Sequence, residues 1–220
     1  LSQSTADMIE WRVDAFRDFT DYNAIRSVFE AVAPLLGEKL FLYTFRTAHQ
    51  GGMAQVKAEQ LDDLHDLAAE SGCVDLVDLE FFEEDRPLHK IKRLREMGVS
   101  VIASHHDFEQ TPSPEVMKML LEKMCAGGAD IVKLAVMPQN YKDVLNLLDV
   151  TAQFREENPD TPVITMSMGS LGGISRISGE TFGSCVTFGA HEKSSAPGQF
   201  AMKELRQMLD TIHALSLIHI

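Results

Sequence analysis

The sequence predicts an α/β protein built on a parallel sheet, and three observations carry that expectation. Hydrophobic period switches repeatedly between two and about 3.6 along the chain, so strand-like and helix-like stretches alternate. The later strand-like runs are continuously apolar, as strands covered on both faces are. No Pro/Ser-rich linker, composition shift or low-complexity tract divides the 220 residues.

The elements follow in order. Strand-like runs occupy residues 8–14, 39–46, 76–82, 99–107, 131–137, 162–168 and 185–190. Amphipathic helical stretches occupy 24–36, 55–71, 86–97, 114–125, 141–157, 174–182 and 200–215. Gly37, Gly72, Gly98 and Gly127-Gly128 stand where helices should stop, and Ser113-Pro114 reads as an N-cap followed by proline in the first turn. Strict strand–helix alternation points to βαβ units. A doubly wound sheet and a (β/α)8 TIM barrel both have this pattern, but neither GxGxxG nor a Walker A sequence follows the first strand. Seven units in 220 residues, against about 250 residues for a typical barrel, predict a TIM barrel lacking its first strand–helix unit at the N-terminus. Residues 1–215 are expected to form one catalytic domain, with 216–220 a tail. The chain opens at Leu1 without an initiator methionine, as a fragment or processed form would.

Composition narrows the function classes. Hydrophobic residues make up 45% and charged residues 24%, and 33 acids against 20 bases leave a net charge of -13. Such a chain repels nucleic-acid phosphates and anionic membrane surfaces. No apolar run approaches the roughly 18 residues needed to span a bilayer, and the first residues lack the pattern of a signal peptide. The three cysteines, Cys73, Cys125 and Cys185, form neither a disulfide framework nor a metal clip, so a reducing cytoplasm is expected.

Charges near the C-terminal ends of the strands carry the chemical information, because a barrel builds its active site there. Glu10, Arg12 and Asp14 share one face of the first strand, Arg46 ends the second, and Ser104-His105-His106-Asp107 ends the fourth. Lys133 sits amid apolar neighbours in the fifth. A lysine there should lose its charge or find a partner; if neutral it is a nucleophile for carbonyls. The alternative is structural pairing with Glu10, Asp14, Asp78 or Glu80. His106 has the chemistry of a general acid–base, or of a core histidine bonded to backbone. His105 and His106 point to opposite faces and cannot easily share an ion, so no metal is expected. Arg12, Arg46, Lys133 and Arg176 gathered at one mouth would make a cationic pocket for a carboxylate or phosphate. Ordinary Arg–Glu bracing of the barrel loops is the alternative, with Glu10 and Glu80 available for it. Ser195 and Gln199, in the loop 194–199, could bond a polyhydroxylated ligand or simply cap a helix.

Taken together, these residues resemble the type I 3-dehydroquinate dehydratases of the shikimate pathway. The resemblance runs from about Asp7 to His213. Its anchors are Glu10-Trp11-Arg12-Val13-Asp14, Thr44-Phe45-Arg46, His106-Asp107-Phe108, Lys133-Leu134-Ala135-Val136-Met137-Pro138, Ile164-Thr165-Met166-Ser167-Met168, Ile174-Ser175-Arg176 and Ser195-Ala196-Pro197-Gly198-Gln199. It implies a lyase of aromatic amino acid biosynthesis that needs no cofactor and acts on 3-dehydroquinate, a small anion. Lys133 would form the imine and His106 would move protons. Arg176 and Gln199, helped by Ser195, would hold the substrate carboxylate and hydroxyls, and Glu10, Arg12 and Arg46 would complete the pocket. A homodimer is implied too. The family commonly has glutamate where Gln50 stands, which would shift the pH optimum. Competing readings are a class I aldolase-like lyase and a non-catalytic binder of quinate-type ligands.

Overall fold

The computed structural model describes residues 2, 4–191 and 196–216. It divides into two compact units, residues 1–104 with 126–130, and residues 105–125 with 131–220.

The first unit is a run of parallel strands, β1 (Met8–Arg12), β2 (Leu40–Thr44), β3 (Leu76–Glu80) and the first half of β4 (Ser100–Asp107), in that order. Helices α1 (Tyr22–Leu36), α2 (Ala58–Glu70) and α3 (Pro87–Glu96) connect them. Register sorts the side chains. Glu10 pairs with Leu42, Arg12 with Thr44, Thr44 with Asp78 and Glu80 with Ser104. Because strand side chains alternate, Glu10, Arg12, Thr44, Asp78, Glu80 and Ser104 share one face. The other face is apolar and meets the helices: Trp11 packs edge-on against Phe29 of α1 and against Tyr43, with ring centroids 5.6 and 5.8 Å away. A parallel sheet is ordinarily apolar on both sides, so the polar face is a departure from that pattern.

Aspartates secure the strand entries. Asp75 accepts from the amide of Phe41 at 2.7 Å, and Asp130 accepts from that of Val101 at 2.8 Å. Helix α1 starts two residues earlier than periodicity indicated, because Asp21 caps it by accepting from the amides of Asn23 and Ala24. The first strand ends at Arg12 and turns into a 3-10 segment, Val13–Ala15.

The second unit takes the end of β4, then α4 (Pro114–Ala126), β5 (Ile131–Val136), α5 (Tyr141–Glu157), β6 (Val163–Ser167), α6 (Gly173–Ile177), α7 (Gly179–Phe182) and α8 (Met202–Ser216). The sheet order puts β5 between β4 and β6. Strands β5 and β6 are parallel, with Lys133 opposite Ile164 and Ala135 opposite Met166. On their other face the Thr165 hydroxyl meets that of Thr151 in α5 at 2.7 Å. No helix is long and apolar enough to cross a membrane among the described residues.

Two further elements differ from expectation. The single helix expected over 174–182 is two short ones, because the Ser178 hydroxyl donates to the Ile174 carbonyl at 2.7 Å and Gly179 follows. The strand expected over 185–190 forms no ladder among the described residues. Its start is held by the Cys185 amide on the Val163 carbonyl at 2.8 Å, and its strand-like pairing is limited to an isolated bridge of Ala190 with Ala201, with a second at Ser184 just before it. The run is half-exposed to exposed and contains Gly189, so it has neither the burial nor the second partner that sustains a barrel strand.

Candidate active site

Within the second unit, β5 places Lys133 at its third position, 4% exposed, between Val132 and Leu134. Its ammonium lies 4.6 Å from the ring centroid of Phe188, a cation–π distance. Register puts Lys133 on the same face as Ile164 and Met166 of β6. Arg176, on α6, reaches that face: its Nη1 donates to the Met166 sulfur at 3.8 Å, and Nη2 to the Pro197 carbonyl at 3.1 Å. The guanidinium is 1% exposed, and Nε has no hydrogen-bond partner among the described residues. Burial, with no carboxylate beside it among the described residues, pushes its pKa down. A buried cation in that state is a standing demand for an anion.

The segment bearing Gln199 is fixed to the same region. Gly169 donates to the Pro197 carbonyl at 3.2 Å, and a Cβ on Gly198 would lie 2.4 Å from the Gly169 carbonyl oxygen, so only glycine allows this approach. Gln199 itself is half-buried, and Ser195 lies outside the described residues. His106 is half-buried near the end of β4, its ring stacked on Phe108 at 6.4 Å. Alternation sets His106 on the face of Ser104 and His105 on the opposite one. Among the described residues no cluster of His, Cys, Asp or Glu has the arrangement of a metal site.

The first unit holds Glu10, Arg12 and Arg46. Arg46 is buried and its guanidinium is engaged by Asp78 at 2.8 Å, Glu80 at 2.9 Å and the Ser104 hydroxyl at 3.1 Å. Ser104 in turn donates to Asp78 at 2.6 Å. Burial alone would lower the Arg46 pKa, but the two carboxylates more than offset it and the net shift is upward. Arg12 grips Asp14 with two bonds of 2.8 Å. Burial would raise the Asp14 carboxyl, yet Arg12 and the amides of Met53 and Arg46 hold it below its ordinary range. Glu10 accepts from the Thr44 hydroxyl at 2.9 Å. Gln50, 2% exposed, donates to Glu83 at 3.5 Å.

Glu80 was one of the two glutamates named for arginine bracing, and it does meet Arg46; sequence reasoning had not assigned Asp78 and Ser104 to Arg46, nor Phe188 to Lys133. The signal for the first set was present, since Asp78 and Glu80 are charges at alternate positions of an otherwise apolar strand.

The family model for type I 3-dehydroquinase matches residues 1–216. The 3-dehydroquinate dehydratase of Syntrophotalea carbinolica is 44% identical over 208 residues, covering 94% of this chain and 82% of the relative. That of Salmonella typhimurium is 43% identical over the same shares. The crystal structure of type I 3-dehydroquinate dehydratase from Clostridium difficile, with covalent modified comenic acid, superimposes with a TM-score of 0.92 at 39% identity, covering 97% of this chain and 84% of that one. Matched over nearly its whole length in sequence and in fold, the chain belongs to the type I 3-dehydroquinase family.

Proposed function

We propose that this chain dehydrates 3-dehydroquinate to 3-dehydroshikimate through an imine on Lys133. The observation that carries the proposal is one sheet face bearing a buried lysine together with Met166, the contact of a buried arginine that has no carboxylate partner among the described residues. A lysine nitrogen and an anion-seeking fork on one face suit a ligand with both a ketone and a carboxylate.

The Lys133 amine adds to the C3 carbonyl and water leaves, giving the imine. The resulting iminium is an electron sink that acidifies the C2 proton. A base removes that proton, the electrons pass into the conjugated system, and the C1 hydroxyl departs with a proton as water. Hydrolysis of the imine releases the enone and regenerates the amine. His106 serves the proton transfers, including those of imine formation. Arg176 holds the carboxylate, and Gln199 and Ser195 bond the ring hydroxyls. Glu10, Arg12 and Arg46 are the remaining substrate-binding residues in this reading, supported by their positions on or beside the polar strand face.

The family match over residues 1–216 supports reading 1–215 as one catalytic domain. A cytoplasmic homodimer acting without a cofactor fits the composition and the family. Appearance of the conjugated enone by ultraviolet absorbance tests the activity. Lys133→Ala should abolish it, and substantial residual turnover would remove the imine route.

A further inference from the structure

We propose that Glu80 is a positioning residue for the reaction: with Asp14 it clamps Arg46 and the following loop, residues 46–53, in the conformation that substrate binding requires. The inference rests on the dehydratase reading for its functional consequence, and on the first unit alone for its geometry.

Glu80 is buried at the end of β3 and uses both oxygens on one stretch of chain. Oε1 accepts from Arg46 Nη1 and from the Thr47 amide, each at 2.9 Å, and Oε2 accepts from the Thr47 hydroxyl at 2.6 Å. Asp14 takes the other side of the loop. Its Oδ1 accepts from the Arg46 amide at 3.3 Å and its Oδ2 from the Met53 amide at 3.0 Å. The loop thus has its first and last residues on one carboxylate and its second residue on another. It also closes on itself, with Gly52 donating to the Thr47 carbonyl at 2.8 Å and Ala48 to the Ala54 carbonyl at 3.1 Å. A Cβ on Gly52 would sit 1.8 Å from the Arg46 carbonyl oxygen, so the closure admits no side chain there.

This is an expensive way to hold a surface turn. Buried ion pairs are weak contributors to stability, because desolvation consumes most of the Coulombic gain. Three carboxylates, Asp14, Asp78 and Glu80, are nevertheless committed around one arginine and one loop. What they gain is geometry: the Arg46 head is fixed from three sides, and the loop that buries Gln50 is fixed at both ends. Preorganisation of this kind lowers the ordering cost of binding and so acts on KM more than on the chemical step.

The test combines steady-state kinetics on 3-dehydroquinate with amide hydrogen exchange of peptides covering 46–54. Glu80→Ala should raise KM about tenfold with kcat within about threefold, and should speed exchange at Thr47 and Met53 about tenfold. Glu80→Gln keeps a carbonyl acceptor for Thr47 and Arg46 and should return KM to within about threefold of the parent. Parental KM in folded Glu80→Ala would overturn the proposal. So would a raised KM with parental exchange, which would mean that Glu80 meets the substrate itself. If Glu80→Ala does not fold, Thr47→Val carries the test, with KM up about threefold and faster exchange at Thr47; parental values for both would overturn it. A parent that turns over no 3-dehydroquinate would sink the dehydratase reading alone, and parental exchange in Glu80→Ala would then still overturn the clamp.

Discussion

Arg176→Met separates function from stability in opposite directions. A guanidinium offers five N–H donors. In this structure one goes to the Pro197 carbonyl and one, weakly, to the Met166 sulfur, while Nε has no partner among the described residues. The uncommitted donors suffice for a fork on a carboxylate. Such a charge-assisted pair contributes about 3 kcal/mol, so its loss should lower kcat/KM by about 10²-fold, mostly through KM. Methionine preserves the apolar packing and removes a buried cation that no carboxylate among the described residues neutralises. Losing the Pro197 bond costs about 1 kcal/mol, whereas relieving the desolvated charge returns more. The variant should therefore melt a few degrees higher than the parent. Kinetics on 3-dehydroquinate and thermal unfolding at neutral pH read the two effects. Parental KM with a lowered melting temperature would refute the reasoning and make Arg176 a structural brace.

Two further outcomes are expected. His65 is buried in α2 with neither ring nitrogen hydrogen-bonded among the described residues; burial first, then Lys90, push its pKa down to about 4 against the opposing pull of Asp62 and Asp78. Between the ordinary histidine value and about 4 the unfolded chain takes up a proton that the folded chain refuses, so stability falls as pH drops through that window, by up to about 3 kcal/mol. Urea titrations of the parent and His65→Leu should diverge by that amount on going from pH 7 to pH 4, the parent losing more; parallel curves would contradict the assignment. His106→Ala should slow enone formation greatly while borohydride trapping of the imine persists, and a parental dehydration rate would exclude His106 from proton transfer.

Much of the fold was legible because the hydrophobic period changes at nearly every element boundary, and α5 falls on the residues its periodicity marked. Lys133 stood out for a related reason: one lysine in a continuous apolar strand must lose its charge or find a partner, and the structure buries it. What sequence could not supply was register. Arg12, Arg46, Lys133 and Arg176 looked alike as cations near strand ends, yet Arg12 lies on Asp14 and Arg46 on Asp78 and Glu80. Arg176 has no carboxylate among the described residues. The Arg12 pair is local, two residues apart, but the Arg46 pairings depend on which residues of neighbouring strands stand opposite one another, as Thr44 and Asp78 do, and that is settled by packing. The break at Ser178 and the weak pairing of 185–190 were hidden similarly, because each turns on one side-chain bond or one absent neighbour.

Reductive trapping tests the central claim most directly. The protein is mixed with 3-dehydroquinate and borohydride, weighed intact, then digested and mapped. The account predicts one added ligand per chain, carried by the peptide containing Lys133 and absent from Lys133→Ala. Folded protein that turns over 3-dehydroquinate yet yields no adduct, or an adduct on another lysine, would contradict it.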